Sequence, residues 1–246
     1  MKHVIFAGDA TTPDVVGWKA ARQALLGNAG LPVPRFFSLG RDAFDGWLAP
    51  VAAELRARLA AVELDRGDAP LASIREWLAG RELPGDVRRE LAEALASSFE
   101  PEAPLAVRGC FVGGVGEDSE SDPFAGASES FLDVPRAEVE EHVRRVFASV
   151  VSLPALLYRR ARGMDVLAHS VSVMVQALVR AEASFVAFTR DPSSGAQEIV
   201  VAAARGSGEG VVQERADIDH FHLAPEGKLL RSELAGDLPV LEERAL

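Results

Sequence analysis

The sequence predicts an α+β fold in two lobes, and three observations predict it. From Arg41 to about Phe99, apolar residues recur at three- and four-residue spacing, as in Val51, Leu55, Leu59, Val62 and again Val87, Leu91, Ala92, Leu95; this is the period of amphipathic helices. After Gly163 the pattern turns strand-like: Val171–Val179, Phe185–Thr189, Glu198–Ala203 and Asp217–Leu223 are divided by turn signals such as Asp191-Pro192-Ser193-Ser194-Gly195, which predicts a mostly antiparallel sheet. Between the two regimes, Glu100–Pro104 forms a proline-containing joint. The expected division is therefore an N-terminal lobe with a helical subdomain over 1–103 and a second, sheet-rich lobe over 104–246.

The individual elements follow in order. His3–Ala7 reads as a short strand, and Gly8–Asp14 as a turn-rich loop broken by Thr11, Thr12 and Pro13. A helix is expected over Trp18–Asn28, with Trp18, Ala21, Leu25 and Leu26 on its apolar face and Gly30 as its C-terminal stop. Leu31-Pro32-Val33-Pro34 must be extended, because each proline disfavours helix at the preceding residue. Phe36–Ser38 reads as a strand, and about three helices follow, punctuated by Asp65-Arg66-Gly67-Asp68 and Leu83-Pro84-Gly85. Leu105–Arg108 is expected to be a strand, Cys110–Gly126 a glycine-, serine- and acid-rich loop, and Phe131–Val134 a strand. Helices are then expected at Arg136–Val150, entered through Pro135, and at about Pro154–Gly163.

Composition narrows the function classes. The chain has 246 residues, 37 acidic against 26 basic, and a formal net charge of −11. So acidic a chain is a poor partner for nucleic acid or anionic lipid. No apolar run approaches the ~18 residues of a membrane span, and the N-terminus lacks the apolar core of a secretory signal. A single cysteine, Cys110, excludes an intrachain disulfide. A cytoplasmic protein is the expectation. Lysine occurs only at positions 2, 19 and 228, which makes Lys19 conspicuous.

Taken residue by residue, the chemical signals are modest. Arg108 at the entrance of a glycine-rich loop suits phosphate, because glycine lets backbone N–H groups approach oxygen and arginine forks onto it. No G-x-x-x-x-G-K-[ST], G-x-S-x-G or H-E-x-x-H occurs. Gly206-Ser207-Gly208-Glu209-Gly210 follows a strand but lacks the glycine spacing of a dinucleotide fingerprint. His220-Phe221-His222 places two imidazoles on one strand face, a metal-binding pattern that reads more simply as a solvated face. Cys110 reads as a small packed residue. Glu117 and Asp118 either ligate Mg²⁺ or keep a loop soluble.

In order along the chain, the motifs form a family pattern. Val16-Gly17-Trp18-Lys19-Ala20-Ala21 resembles V-G-G-K-A-A, Gly30-Leu31-Pro32-Val33-Pro34 is G-L-P-V-P, and Val107-Arg108 begins V-R-S-S-A. Glu117-Asp118-Ser119, Phe124-Ala125-Gly126 and Glu129-Ser130-Phe131-Leu132-Asp133-Val134 resemble E-D-S, F-A-G and E-T-F-L-N-V. Val175-Gln176, Phe188-Thr189-Arg190-Asp191-Pro192 and Gly206-Ser207-Gly208-Glu209-Gly210-Val211-Val212 resemble V-Q, F-T-R-D-P and G-L-G-E-G-V-V, and Asp219 with Phe221 resembles P-D-x-Y. On these residues the chain resembles the ATP-binding domain of phosphoenolpyruvate synthase and pyruvate phosphate dikinase.

The resemblance implies an ATP-grasp-like fold with ATP between two lobes. It implies Lys19 and Arg108 as catalytic, phosphate-neutralising cations, with backbone groups of Gln176, Ala177, Leu178 and Val179 at the adenine edge. Glu129 and Ser130 are also implied at the nucleotide, Glu209 as the Mg²⁺ ligand, and the loop Gly109–Gly126 as a cover for the phosphates. Family enzymes pass the phosphoryl group to a histidine on a swivelling domain; that domain's motif is not found here, so the expected acceptor is a histidine on a separate partner chain. The sequence departs from the pattern at Gly109 and Cys110, where the family has two serines, at Phe185, where it has glycine, and at Ala202, where an acid is common. Those departures keep a second reading open, a catalytically degenerate binding or scaffold protein.

Overall fold

The computed structural model describes residues 2–64, 67–112, 128–206, 208, 217–236 and 239–241. The chain is α+β and separates into two compact units, Met1–Leu178 and Val179–Leu246. The boundary expected near 103 falls inside the first unit, because the strands on either side of it share one sheet.

The first unit is built on a five-stranded antiparallel sheet. In chain order its strands are β1 (Val4–Phe6), β2 (Phe36–Leu39), β3 (Leu105–Val112), β4 (Ser130–Val134) and β5 (Ser170–Ala177), arranged β1-β2-β5-β3-β4. β3 and β5 are central and almost fully buried, and they pair from Leu105↔Ala177 to Val112↔Ser170. Pairing over that length corrects the expected strand end at Arg108: Gly109–Val112 continue the strand, although their composition reads as loop. β5 ends at Ala177 rather than Val179, which is 62% exposed.

Alternation sorts the side chains of this sheet into two faces. One face presents Phe37, Leu39, Leu105, Val107, Phe111, Val171, Val173 and Val175 to the main core. Four helices stand where three were expected between residues 41 and 99: α2 (Arg41–Leu48), α3 (Ala52–Ala60), α4 (Ala69–Ala79) and α5 (Gly85–Ser98). With α6 (Val139–Ala148) and α7 (Leu153–Ala161), they pack their apolar residues into that same core. Phe44 and Trp47 meet Phe147 at ring-centroid distances of 5.3 Å each.

Among the described residues, the opposite face is covered by one helix, α1 (Pro13–Asn28). The buried side of α1 is Val16, Gly17, Ala20, Ala21 and Ala24, packed on Phe36 and Met174. The expected apolar face is thereby corrected: Trp18, Leu25 and Leu26 are 41%, 56% and 45% exposed. A helix lying this close to a sheet buries small residues and turns its large ones outward. Gly17 (φ +78°) interrupts the helix, and a Cβ there would lie 2.3 Å from Cys110 Sγ. The helix ends as expected at Gly30 (φ +83°), with the Leu31 N–H donating to Leu26 O (3.0 Å), a Schellman-type closure.

The second unit is a four-stranded antiparallel meander of β6 (Ala183–Phe188), β7 (Ile199–Arg205), β8 (Asp219–Leu223) and β9 (Leu229–Glu233), the last not expected from the sequence. Its core is small: Val201, Ala203, Phe221 and Leu223, flanked by Ile199, Leu229, Val240 and Leu241. Buried Asp219 accepts from the Ala235 N–H (2.9 Å) and the Val240 N–H (2.6 Å), fastening the chain after β9 to β8. Among the described residues no helix is long and apolar enough to cross a membrane.

Candidate functional site

The α1-covered face of the first sheet carries a polar cluster at one end. After the Gly17 interruption, α1 sets Lys19 and Gln23 four residues apart, one above the other on the same helix face. Lys19 Nζ donates to Gly109 O (3.3 Å) and to Ser128 Oγ (3.2 Å), and the Ser128 hydroxyl donates to the same carbonyl (3.0 Å). Arg108, Met174 and Ser130 lie directly opposite one another on three adjacent strands, so their side chains share this face. Gln176 is one row further along, and Arg108 donates to its Oε1 (3.3 Å). Gln176 Nε2 in turn donates to Gln23 Oε1 (2.5 Å).

The chain of contacts Arg108–Gln176–Gln23, with Lys19 one helical turn before Gln23, therefore joins residues from α1, β3 and β5. Arg108 forms no ion pair among the described residues; its partner is a neutral amide, which leaves the guanidinium charge available to an anion. Gln23 was not anticipated. Its only sequence signal is its position four residues after Lys19.

The residues around the cations explain two departures from the family pattern. Gly109 points to the other side of β3, where a Cβ would lie 2.8 Å from Val146 Cγ1 and 3.0 Å from Glu129 O. Glycine lets α6 and the 128–129 segment approach the strand, and the Gly109 N–H donates to Glu129 O (2.9 Å). Cys110 is 2% exposed and lies under Gly17, consistent with a small packed residue. Beside it, Ser172 Oγ donates to Val16 O (2.6 Å), tying the interrupted turn to β5.

Other expected site residues are placed differently. The Glu129 side chain lines a cavity of about 470 Å³ with Arg75, Arg144 and Arg145, between α4 and α6. Burial raises its carboxyl pKa there, against the pull of Arg75 and Arg145. The N–H groups of Ala177 and Leu178 are engaged by Arg35 O and Pro104 O (2.9 Å each), and Val179 opens the second unit. The adenine edge would therefore have to use other atoms of this segment than those two N–H groups. Ala202 lies on β7 opposite Val186 and His220, and its methyl offers no oxygen to a cation. Glu209, the expected Mg²⁺ ligand, and Glu117, Asp118 and most of the expected phosphate-covering loop lie outside the described residues.

The histidines correct one expectation. His222 is 9% exposed and contacts Glu198 and Arg231, so it does not belong to a solvated strand face.

Comparison with known proteins follows the same residues. Over residues 13–237 the sequence matches the family described as pyruvate phosphate dikinase, AMP/ATP-binding domain. A probable phosphoenolpyruvate synthase of Methanocaldococcus jannaschii is 32% identical over 234 residues, covering 90% of this chain and 19% of the relative. One from Methanothermobacter thermautotrophicus is 29% identical, covering 94% and 35%. The Escherichia coli phosphoenolpyruvate synthase is 30% identical, covering 90% and 28%. The chain thus spans between about a fifth and a third of these relatives. It belongs to the pyruvate phosphate dikinase AMP/ATP-binding domain family and has that family's ATP-grasp-like fold.

Proposed function

From membership of that family and the cluster on the first sheet, we propose that this chain binds Mg-ATP with the phosphates at Lys19 and Arg108. We further propose that it passes a phosphoryl group to a histidine on a partner chain. The observation that carries the reading is the convergence of two cations 89 residues apart in sequence. The Gly17 interruption sets Lys19 against Gly109 O, next in the chain to Arg108. Arg108 is held by a neutral amide, an arrangement that lets the guanidinium neutralise a triphosphate without first breaking an ion pair among the described residues.

In this reading Gln23 and Gln176 are positioning residues that aim Arg108, and Ser128 does the same for Lys19. Mg²⁺ arrives with the nucleotide. It keeps phosphate and water oxygens as ligands, with Glu209 the one proposed protein carboxylate, since Ala202 supplies none. The site residues themselves bind and orient the phosphates and stabilise charge as the phosphoryl group departs.

A second reading rests on Ala202, whose methyl stands where the family often carries an acid: binding without turnover, as a scaffold. Labelled phosphate separates the two. The chain is incubated with ATP carrying ³²P at the β- or at the γ-phosphate and Mg²⁺, alone and with an isolated phosphohistidine domain from a related synthase, and AMP or ADP is followed as the leaving group. Label on the partner's histidine, lost in Lys19→Ala and Arg108→Ala, supports transfer. Retained nucleotide binding with no transfer to any such domain supports the scaffold.

A further inference from the structure

Away from the nucleotide reading, the second unit gathers a different set of donors. Asp191 follows β6, Glu198 precedes β7, and His222 lies on β8; one ligand atom from each falls within 4.8 Å of the others. Two of the three are at least nine-tenths buried, Asp191 at 8% and His222 at 9% exposure.

The Asp191 carboxylate is fixed by its own turn. Oδ1 accepts from the Ser193 and Ser194 N–H groups (2.8 and 3.3 Å), and Oδ2 from Ser194 Oγ (2.7 Å). The turn is closed by Asp191 N–H to Ala196 O (3.1 Å) and Gly195 N–H to Asp191 O (2.8 Å). Such outer contacts are what orient a carboxylate ligand.

The imidazole is the telling group. His222 Nδ1 lies 3.3 Å from Glu198 Oε2 and 3.0 Å from an Arg231 guanidinium nitrogen. One ring nitrogen cannot satisfy both neighbours. Protonated, it sets an N–H against the guanidinium N–H; unprotonated, it sets a lone pair against the carboxylate's. A cation placed between Nδ1 and the two carboxylates receives all three lone pairs and removes the conflict. Arg231, 3.6 Å from Glu198 and 54% exposed, stands at the rim and is free to swing toward solvent.

We propose that Asp191, Glu198 and His222 form a binding site for a first-row divalent transition-metal cation of the Zn²⁺ type. The mixed imidazole and carboxylate set selects that class over Mg²⁺, which takes oxygen ligands. With ligand distances of about 2.0–2.2 Å, ligand atoms of a tetrahedral site stand about 3.4 Å apart, so the His222–Glu198 pair at 3.3 Å is already at that spacing and any pair near the 4.8 Å limit closes by about an ångström or somewhat more. The site supplies three protein ligands and leaves remaining positions to water. Its occupancy fastens the Asp191 turn and the start of β7 to the middle of the meander.

The test is a Zn²⁺ titration of the purified full chain, free of nucleotide, against a chromophoric chelator, with X-ray absorption on the loaded sample. The expected result is one equivalent bound per chain with nitrogen and oxygen neighbours. His222→Ala and the near-isosteric Glu198→Gln should each weaken binding by at least about tenfold, the loss that even outer partners of a ligand cause. Arg231→Ala should bind at least as tightly as the parent chain. No saturable uptake, or equal affinity in the His222 and Glu198 variants when both melt like the parent, overturns the assignment. Because no nucleotide is present, failure here leaves the ATP reading untouched.

Discussion

The two sheets of this protein solve burial in different ways. The five-stranded sheet is covered on both faces, by a broad aromatic and aliphatic core on one side and by the alanine face of α1 on the other. The four-stranded meander has one small core and leaves Phe185 and Phe188 at 62% and 43% exposure. The difference shows where polar chemistry can be held. On the first sheet the close approach of α1 brings Lys19 and Gln23 onto strands already fixed from the other side. On the second, the donors Asp191, Glu198 and His222 gather where a turn and two strand ends meet.

The sharpest way to break that comparison is to empty the smaller core. Phe221 is its largest member, and Phe221→Ala should cost about 3–5 kcal/mol of the second unit's stability, enough to unfold a core of this size. Native-state hydrogen exchange checks it: protection should fall in β7, β8 and β9 while β3 and β5 keep theirs.

Next is the close approach itself. Gly17→Ala sets a side chain at positive φ and against Cys110 at once, a loss of about 3 kcal/mol or more. Urea unfolding measures it, and protection should drop first in α1 and β5. A near-neutral Gly17→Ala would mean that α1 does not lie as tightly on β3 as described.

A smaller effect tests the covered core by pH. His169 is 1% exposed, and burial first, with Arg159 beside it second, lowers its pKa. The Arg159 Nε–H donates to His169 Nδ1 (3.2 Å), so a second proton there would face the guanidinium. The folded pKa is depressed, so this stability is fully present above the ordinary value of 6.5 and is lost as pH falls from there toward the folded pKa. Melting temperatures at pH 7.5 and 5.5 should show an acid loss that His169→Gln reduces. The smallest expected effect is Leu25→Ala, within about 0.5 kcal/mol, because that side chain faces water. A loss of several kcal/mol would restore the apolar face that periodicity predicts.

Those residues also show how much was legible in the sequence. Gly30 and the proline pairs fix their own backbone, so the end of α1 and the extended entry to β2 could be read directly. The face of α1 could not. Hydrophobic spacing favours large residues, whereas a helix pressed on a sheet buries Ala20, Ala21 and Ala24. Gly109-Cys110 reads as loop by composition, yet pairing with β5 and the approach of α6 make it central strand. Lys19, Arg108 and Gln176 were visible through family motifs, but Gln23, which accepts from Gln176 and so extends the contacts of Arg108 to α1, belongs to none of them. Asp191, Glu198 and His222 span 31 positions and meet only because the meander folds them together.

The central claim is that the polar cluster under α1 is a nucleotide-phosphate site. Isothermal titration with a non-hydrolysable ATP analogue, with and without Mg²⁺, tests it most directly. The prediction is micromolar binding that depends on Mg²⁺ and weakens about 10- to 100-fold in Arg108→Ala, the range for a lost charge-assisted hydrogen bond. Lys19→Ala should show a similar loss. No binding at millimolar analogue, or equal affinity in both folded variants, would contradict it.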